Sequence, residues 1–185
     1  KQDQSSYAFD AEAGFQPKLP KSMSLLAKLK PWIRGGYSVT SGDDNPTDNT
    51  HGTFFQILPT PRPYARFPFF NMMNNIDRFG MLTLRPHSKV TVASEFHSLS
   101  LKSATDLWYA GGGVFQPQTF GYNGRSTSGR KSLANLYDTN LEYRMNPHFT
   151  FTAYVGYAQG LAAMRQIYPL GKNGTFGYGE VLFRF

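Results

Sequence analysis

Apolar and polar side chains alternate along seven segments of the chain, with the period of two that a β-strand requires. The segments are residues 6–16, 28–40, 76–85, 90–99, 135–145, 149–158 and 175–185. In segment 149–158, Phe151, Ala153 and Val155 fall on one face, and the residues between them fall on the other. The pattern predicts an all-β fold in which consecutive strands pair antiparallel and the sheet has one apolar and one polar face.

The connections between these segments are of two kinds. Residues 85–89 and 146–148 are tight turns that contain proline, whereas residues 41–75 and 100–134 are long and rich in Gly, Pro, Asn and Asp. Short turns at one rim and long loops at the other are typical of a transmembrane β-barrel of the bacterial outer membrane, whose short side is periplasmic. The last segment ends on the aromatic residue Phe185, which favours the closing strand of such a barrel.

Seven strands are an odd number, whereas bacterial single-chain barrels have even numbers. Either residues 22–28 form an eighth strand, or residues 1–185 are the C-terminal part of a larger barrel, and we favour the second explanation. We therefore expect one domain whose first and seventh strands are unpaired edges. No apolar signal segment follows Lys1, so we also expect further chain before it.

Composition and charge limit the classes of function that the chain can have. Aromatic residues reach 16%, yet no apolar run approaches the roughly 18 residues of a membrane helix. The net charge of +7 suggests an anionic partner, but the basic residues are scattered singly, which argues against nucleic acid. The 185 residues contain no cysteine, which excludes disulfides and thiol nucleophiles within them, and we expect no cofactor.

Several motifs resemble those of one family of outer-membrane barrels, the alginate export family. They are the loop 41–75 and the stretches 106–113 (DLWYAGGG), 120–122 (FGY), 133–136 (LANL) and 176–178 (FGY). The resemblance implies a monomeric barrel of about eighteen strands in the outer membrane, through which an anionic polysaccharide such as alginate leaves the cell. It also implies an arginine-rich lumen, possible periplasmic export partners and no enzymatic activity.

Five basic residues fall on the predicted lumen side, and we predict that they line the path of the polymer: Lys30, Arg34, Arg85, Arg144 and Arg184. A polyuronate carries one carboxylate per sugar, and an arginine can bind a carboxylate through two parallel hydrogen bonds. The alternative is that these cations neutralise carboxylates of neighbouring strands, as cross-strand ion pairs do. Such carboxylates include Asp10, Glu12, Asp138, Glu142 and Glu180.

One cluster of acidic residues could bind a metal, and the histidines could be catalytic. Asp43, Asp44 and Asp48 are weak candidates for calcium ligands, but their spacing is not that of an EF-hand, so we predict turn residues and no metal site. His97 shares a face with Glu95, whereas Ser94 points to the opposite face, so no hydrolytic triad is predicted. The remaining alternatives are a general anion-selective porin, an outer-membrane hydrolase and a soluble carbohydrate-binding β-sandwich.

Overall fold

The computed structural model describes residues 3–56, 66–110 and 123–185. Its elements, in chain order, are β1 (Asp3–Gln4), β2 (Ala8–Phe15), a 3₁₀ turn (Lys21–Met23), α1 (Ser24–Lys28), β3 (Trp32–Thr40), β4 (Thr50–His51), β5 (Asn75–His87), β6 (Val90–Leu101), β7 (Trp108–Ala110), β8 (Asn123–Arg125), β9 (Ser132–Arg144), β10 (Phe149–Gly160), α2 (Ala162–Ile167) and β11 (Gly174–Phe183). Within the described residues, no helix is long and apolar enough to cross a bilayer.

The long strands form one seven-stranded sheet in the order β11-β10-β9-β6-β5-β3-β2, and every neighbouring pair is antiparallel. Strands that follow one another along the chain are neighbours in the sheet, which confirms the predicted simple order. In the described part of the chain, β2 and β11 do not pair with each other, so the sheet is open at both edges, as predicted. Two short pairs, β1 with β4 and β7 with β8, lie within or against the long loops.

The seven predicted strands are confirmed, with one boundary that is wrong. The second strand begins at Trp32 rather than at residue 28, because residues 21–28 are helical, and the alternative of an eighth strand over 22–28 is therefore wrong as well. The sequence of α1, SLLAK, consists mostly of good helix formers. Pro31 then disfavours helical backbone at Lys30, which instead has a φ of 47°.

The two faces of the sheet differ in chemistry. One face, here called the apolar face, carries large exposed side chains; they include Phe9, Ile33, Leu82, Phe96, Leu141, Phe151, Val155 and Val181. The other, the polar face, carries most of the charged and amide groups of the strands; they include Glu12, Arg34, Asp77, Glu95, His97, Asp138, Asn140 and Glu180. The pairing register keeps each set on its own side across all seven strands.

The hydrophobic core lies at the long-loop end of the polar face rather than on the apolar face. Phe67, Phe70 and Trp108 from the long loops pack there against strand residues and α2. Gly156 makes room for this packing, since a Cβ atom at that position would lie 2.9 Å from the ring of Phe67. The parts of the loops around Phe67, Phe70 and Trp108 therefore fold over the sheet.

A buried carboxylate, Asp106, holds the two long loops together. Its Oδ2 accepts hydrogen bonds from the backbone N–H of Asp43 (2.9 Å) and the hydroxyl of Thr53 (2.6 Å). Its Oδ1 accepts from the N–H of Leu107 (2.7 Å) and the hydroxyl of Tyr109 (2.9 Å). Burial raises the pKa of Tyr109, and the charge of Asp106 raises it further, so this hydroxyl keeps its proton and remains a donor.

The side chain of Asn74 makes a second connection between the loops. Its Oδ1 accepts from the N–H of Ser103 (2.7 Å), and its Nδ2 donates to the carbonyls of Ser103 and Leu107 (both 3.1 Å). Asn74 is fully buried and has a φ of 48°. Together with Asp106 it satisfies backbone groups that the loops would otherwise bury without partners.

Gly160→Ala tests the close packing at the end of β10. A Cβ atom at Gly160 would lie 2.0 Å from the carbonyl oxygen of Lys172, so the backbone must shift. We expect the free energy of unfolding to fall by about 1–3 kcal/mol. Urea unfolding of the full protein folded in lipid vesicles measures this, with Gly171→Ala as control because no atom lies within 4 Å of its added Cβ. Equal effects of the two variants would contradict the packing.

Asp106→Asn tests the connection between the loops. The amide keeps the shape of the carboxylate but offers one accepting oxygen to four donors, so we expect a loss of about 2–3 kcal/mol in the free energy of unfolding. Faster proteolysis within residues 41–56 and 102–110 should accompany it. The control is Asp44→Asn, which alters an exposed carboxylate of the same loop. Loops that stay as protease-resistant as in the unmodified protein would show that Asp106 does not hold them.

Candidate functional site

An open cleft with a volume of about 640 Å³ lies at the short-turn end of the sheet. The residues around it are Lys28, Lys30, Arg85, Pro86, His87, Ser88, Lys89, Thr91, Glu142 and Arg144. They come from three distant parts of the chain, namely the end of α1, the turn between β5 and β6, and the end of β9. We refer to this cleft as the basic cleft.

Backbone hydrogen bonds fix the three segments to one another. The N–H of Arg85 donates to the carbonyl of Leu29 (2.6 Å), which attaches the end of α1 to β5. The N–H of Arg144 donates to the carbonyl of Lys89 (2.8 Å), and the ammonium of Lys89 donates to the carbonyl of Met145 (2.7 Å). The cations thus project from a fixed frame, although their side chains reach solvent.

The charge of the basic cleft is only partly compensated. Its single carboxylate, Glu142, accepts from Arg144 at 3.5 Å, and both side chains are partly exposed, so the pair contributes little to stability. In the described ranges, no ion pair involves the other four cations of the cleft: Lys28, Lys30, Arg85 and Lys89. Such a set can bind carboxylates of a ligand, bidentately where arginine is the donor.

The five predicted lumen cations therefore divide into two groups. Lys30, Arg85 and Arg144 come together in the basic cleft, although Lys30 precedes β3 and lies on neither face of a strand, contrary to the prediction. Arg34 and Arg184 lie elsewhere. The predicted role of the five in guiding a polymer stays a prediction.

Arg34 lies on the polar face and matches the alternative of a cross-strand ion pair. Its Nη1 is 3.5 Å from Oε2 of Glu12 on the neighbouring strand, and its guanidinium lies 5.4 Å from the ring centre of Phe79. Arg184 follows the end of β11, where its N–H donates to the carbonyl of His148 (2.9 Å). It therefore lies near the last short turn, outside the basic cleft.

The middle of the polar face carries three carboxylates around a buried histidine. His97 is 1% exposed and lies between two carboxylates, with its Nδ1 2.8 Å from Asp77 and its Nε2 3.4 Å from Glu95. The register then places Glu95 opposite Asp138, which accepts a hydrogen bond from the hydroxyl of Tyr154 (3.2 Å). Arg34 lies at the same level of the polar face, because Met81 pairs with both Arg34 and Glu95.

The surroundings of His97 also test the predicted separation of Ser94 from His97. Both ring nitrogens of His97 pair with carboxylates, and Ser94 instead meets Thr139 on the apolar face, at 3.0 Å between the hydroxyls. Among the described residues, no hydrogen bond joins a serine or threonine hydroxyl to a histidine ring. This confirms that Ser94 and His97 do not assemble into a triad.

The acidic residues that were weak candidates for calcium ligands act as turn residues. Oδ1 of Asp43 accepts from the N–H of Asn45 (3.1 Å), and Oδ1 of Asp48 accepts from the N–H of Thr50 (2.8 Å). Asp44 lies beside them on an exposed part of the loop. No group of three or more carboxylate or imidazole side chains is arranged to hold a metal in residues 3–56, 66–110 and 123–185.

Sequence reasoning missed Lys28 and Lys89 as members of the basic cleft. Lys28 lies in a helix where a strand was predicted, and Lys89 closes a tight turn, so neither belongs to an alternating pattern. Their position in the sequence could have indicated that they belong to the cleft. Both residues lie within a few positions of the short-turn rim, where Arg85 and Arg144 also lie.

Comparison with known protein families gives a match over most of the chain. The statistical model of the family described as Alginate export matches residues 1–162, which is most of the chain. No curated protein and no solved structure matches the sequence. The chain therefore belongs to the alginate export family, which is a transport family rather than a family of enzymes.

Proposed function

We propose that this chain forms part of the wall of a monomeric outer-membrane β-barrel through which an anionic polysaccharide such as alginate leaves the cell. The observation that carries the proposal is the separation of the sheet into an apolar face with exposed aromatic and aliphatic residues and a polar face with charged ones. Family membership supplies the class of cargo, and the basic cleft supplies groups that suit its carboxylates.

The apolar face fits contact with lipid. Phe9, Val155 and Val181 are all more than half exposed there, and soluble monomers rarely expose so extended an apolar patch. Arg78 is the charged exception, and it lies near the long-loop end, 5.6 Å from the ring centre of Tyr37. A long side chain at that height can extend its charge to the membrane interface.

The open edges of the sheet fit a larger closed structure. Exposed backbone groups on β2 and β11 would be costly in lipid, where water cannot satisfy them. Further strands between these two edges would close the barrel, and the family resemblance suggests about eighteen strands in all. A β-sandwich is less consistent with the sheet, because a second sheet would have to cover the apolar face.

The position and charge of the basic cleft suit the entrance of the channel. Short turns face the periplasm in barrels of this class, so the cleft would meet the polymer, and any periplasmic export partner that delivers it, on that side. Several weakly paired cations favour movement, whereas one tight site would retain the polymer. A general anion-selective pore would have the same charge but would not distinguish uronate chains from small anions.

Val155→Arg tests which face meets lipid. If the apolar face is buried in the bilayer, a charge near its middle should lower the free energy of unfolding in vesicles by about 2–4 kcal/mol. The matched control is Thr152→Arg on the polar face, where β-pairing places Thr152 between Glu142 and Glu180. We expect that control to change stability by less than about 1 kcal/mol. If Thr152→Arg is the more damaging variant, the assignment of the faces is reversed.

Reversing two charges of the basic cleft tests its role in transport. In the complete barrel in planar bilayers, current under a salt gradient should be anion-selective, and short alginate oligomers should block it reversibly. Arg85→Glu with Arg144→Glu should shift the reversal potential toward cations and raise the half-blocking concentration about tenfold. The shift should shrink near about 1 M salt, where the screening length is roughly 3 Å.

The control for this experiment is Lys18→Glu, which reverses an exposed charge of the same rim outside the cleft. Cation selectivity of the unmodified barrel would contradict the proposed function. Anion selectivity without block by alginate oligomers would instead favour the general anion-selective pore.

A further inference from the structure

A second basic cavity lies at the opposite, long-loop end of the sheet. It has a volume of about 360 Å³, and its lining residues are Arg130, Leu161, Ala162, Arg165, Gln166 and Lys172. Three of these side chains are cationic, and none is acidic. The carboxylates Asp77, Glu95 and Asp138 lie along the polar face between this cavity and the basic cleft.

The backbone holds each of the three cations in place. Arg130 ends a tight turn in which its N–H donates to the carbonyl of Thr127 (3.2 Å). Arg165 belongs to α2, which the buried residues Ala163 and Met164 anchor in the core. The chain at Lys172 passes directly over Gly160, and the adjacent Asn173 accepts the N–H of that glycine (3.1 Å).

In the described part of the chain, no carboxylate pairs with the cations of this cavity. All twelve Asp and Glu residues of the sequence fall within the ranges that the structure describes. Within those ranges, no ion pair involves Arg130, Arg165 or Lys172. By contrast, Arg34 and Arg144 each have a carboxylate partner. Arg130 and Arg165 are exposed and Lys172 is half-buried, so all three side chains are accessible to an anion that enters the cavity.

We propose that this cavity binds a uronate carboxylate of the exported polysaccharide as the chain leaves the barrel. The proposal rests on the proposed function and adds a second contact to it, at the opposite end of the wall. The two guanidinium groups suit the planar carboxylate, and Gln166 can bond sugar hydroxyls. A volume near the lower end of the range for ligand sites fits one sugar unit rather than a long segment.

The experiment compares block from the two sides of a single complete barrel in a planar bilayer. The orientation of the barrel in the bilayer is determined with the additional substitution Pro147→Cys, which marks a short turn. The cysteine is biotinylated, and added streptavidin then shows which side of the bilayer that turn faces. Short alginate oligomers are then added to either side of the barrel carrying Arg165→Gln and Lys172→Gln. We expect the half-blocking concentration on the long-loop side to rise about tenfold and that on the short-turn side to stay nearly unchanged.

Two controls accompany the double variant. Lys131→Gln removes a cation of the same turn that does not line the cavity, since its ammonium donates to the carbonyl of Lys102 (2.8 Å). It should leave the block from both sides unchanged. Arg165→Lys keeps the charge and should retain most of the block. Heat-modifiable migration on gels confirms that each variant is folded.

The outcomes separate this inference from the proposed function. If alginate blocks the unmodified barrel but the double variant blocks equally well from the long-loop side, the inference is overturned and the proposed function stands. If the unmodified barrel is blocked from neither side, both fail. If the double variant loses co-purified lipopolysaccharide while its uronate block is unchanged, the cavity serves lipid phosphates, which also overturns the inference.

Discussion

The structure depends on one geometric constraint, namely that successive side chains of a β-strand point to opposite sides of the sheet. The register shifts by one residue near the end of two ladders, between Leu84 and His87 and between Leu99 and Ser100. Along the rest of the seven strands it keeps this alternation in phase, so that the apolar side chains share one face. A shift in the middle of a ladder would place charged residues among the apolar ones. The two faces can therefore meet different surroundings across a wall that is a single backbone layer thick.

The two ends of the polar face also differ, because one end is covered and the other is open. At the long-loop end, aromatic residues of the loops and the residues of α2 cover it and form the buried core. At the short-turn end it stays open, and the basic cleft forms there. The buried core thus lies at one end of the wall and the basic cleft at the other, and the described parts of the loops that provide the core also cover part of the polar face.

The charged residues of the polar face also differ between its two ends and its middle. The basic cleft and the cavity of Arg130, Arg165 and Lys172 lie at the two ends, whereas Asp77, Glu95 and Asp138 lie between them. The carboxylates of the middle have basic neighbours, because Arg34 lies level with Glu95 through Met81 and His97 lies between Asp77 and Glu95. In the described ranges, by contrast, no carboxylate pairs with the cations at the two ends, apart from Glu142 with Arg144.

The sequence by itself determined the strands, their order and their faces, because alternation and turn residues act through neighbouring positions of the chain. It did not reveal the helix at Ser24–Lys28, whose short apolar stretch fits a strand or a helix equally well until Lys30 and Pro31 fix the backbone. Only the tertiary structure decided which cations meet. Lys28, Arg85 and Arg144 belong to three distant segments of the chain. Pairing of β5, β6 and β9 brings Arg85 and Arg144 together, and the hydrogen bond from the N–H of Arg85 to the carbonyl of Leu29 places Lys28 beside them. Arg34 instead lies beside Glu12 through the pairing of β2 with β3.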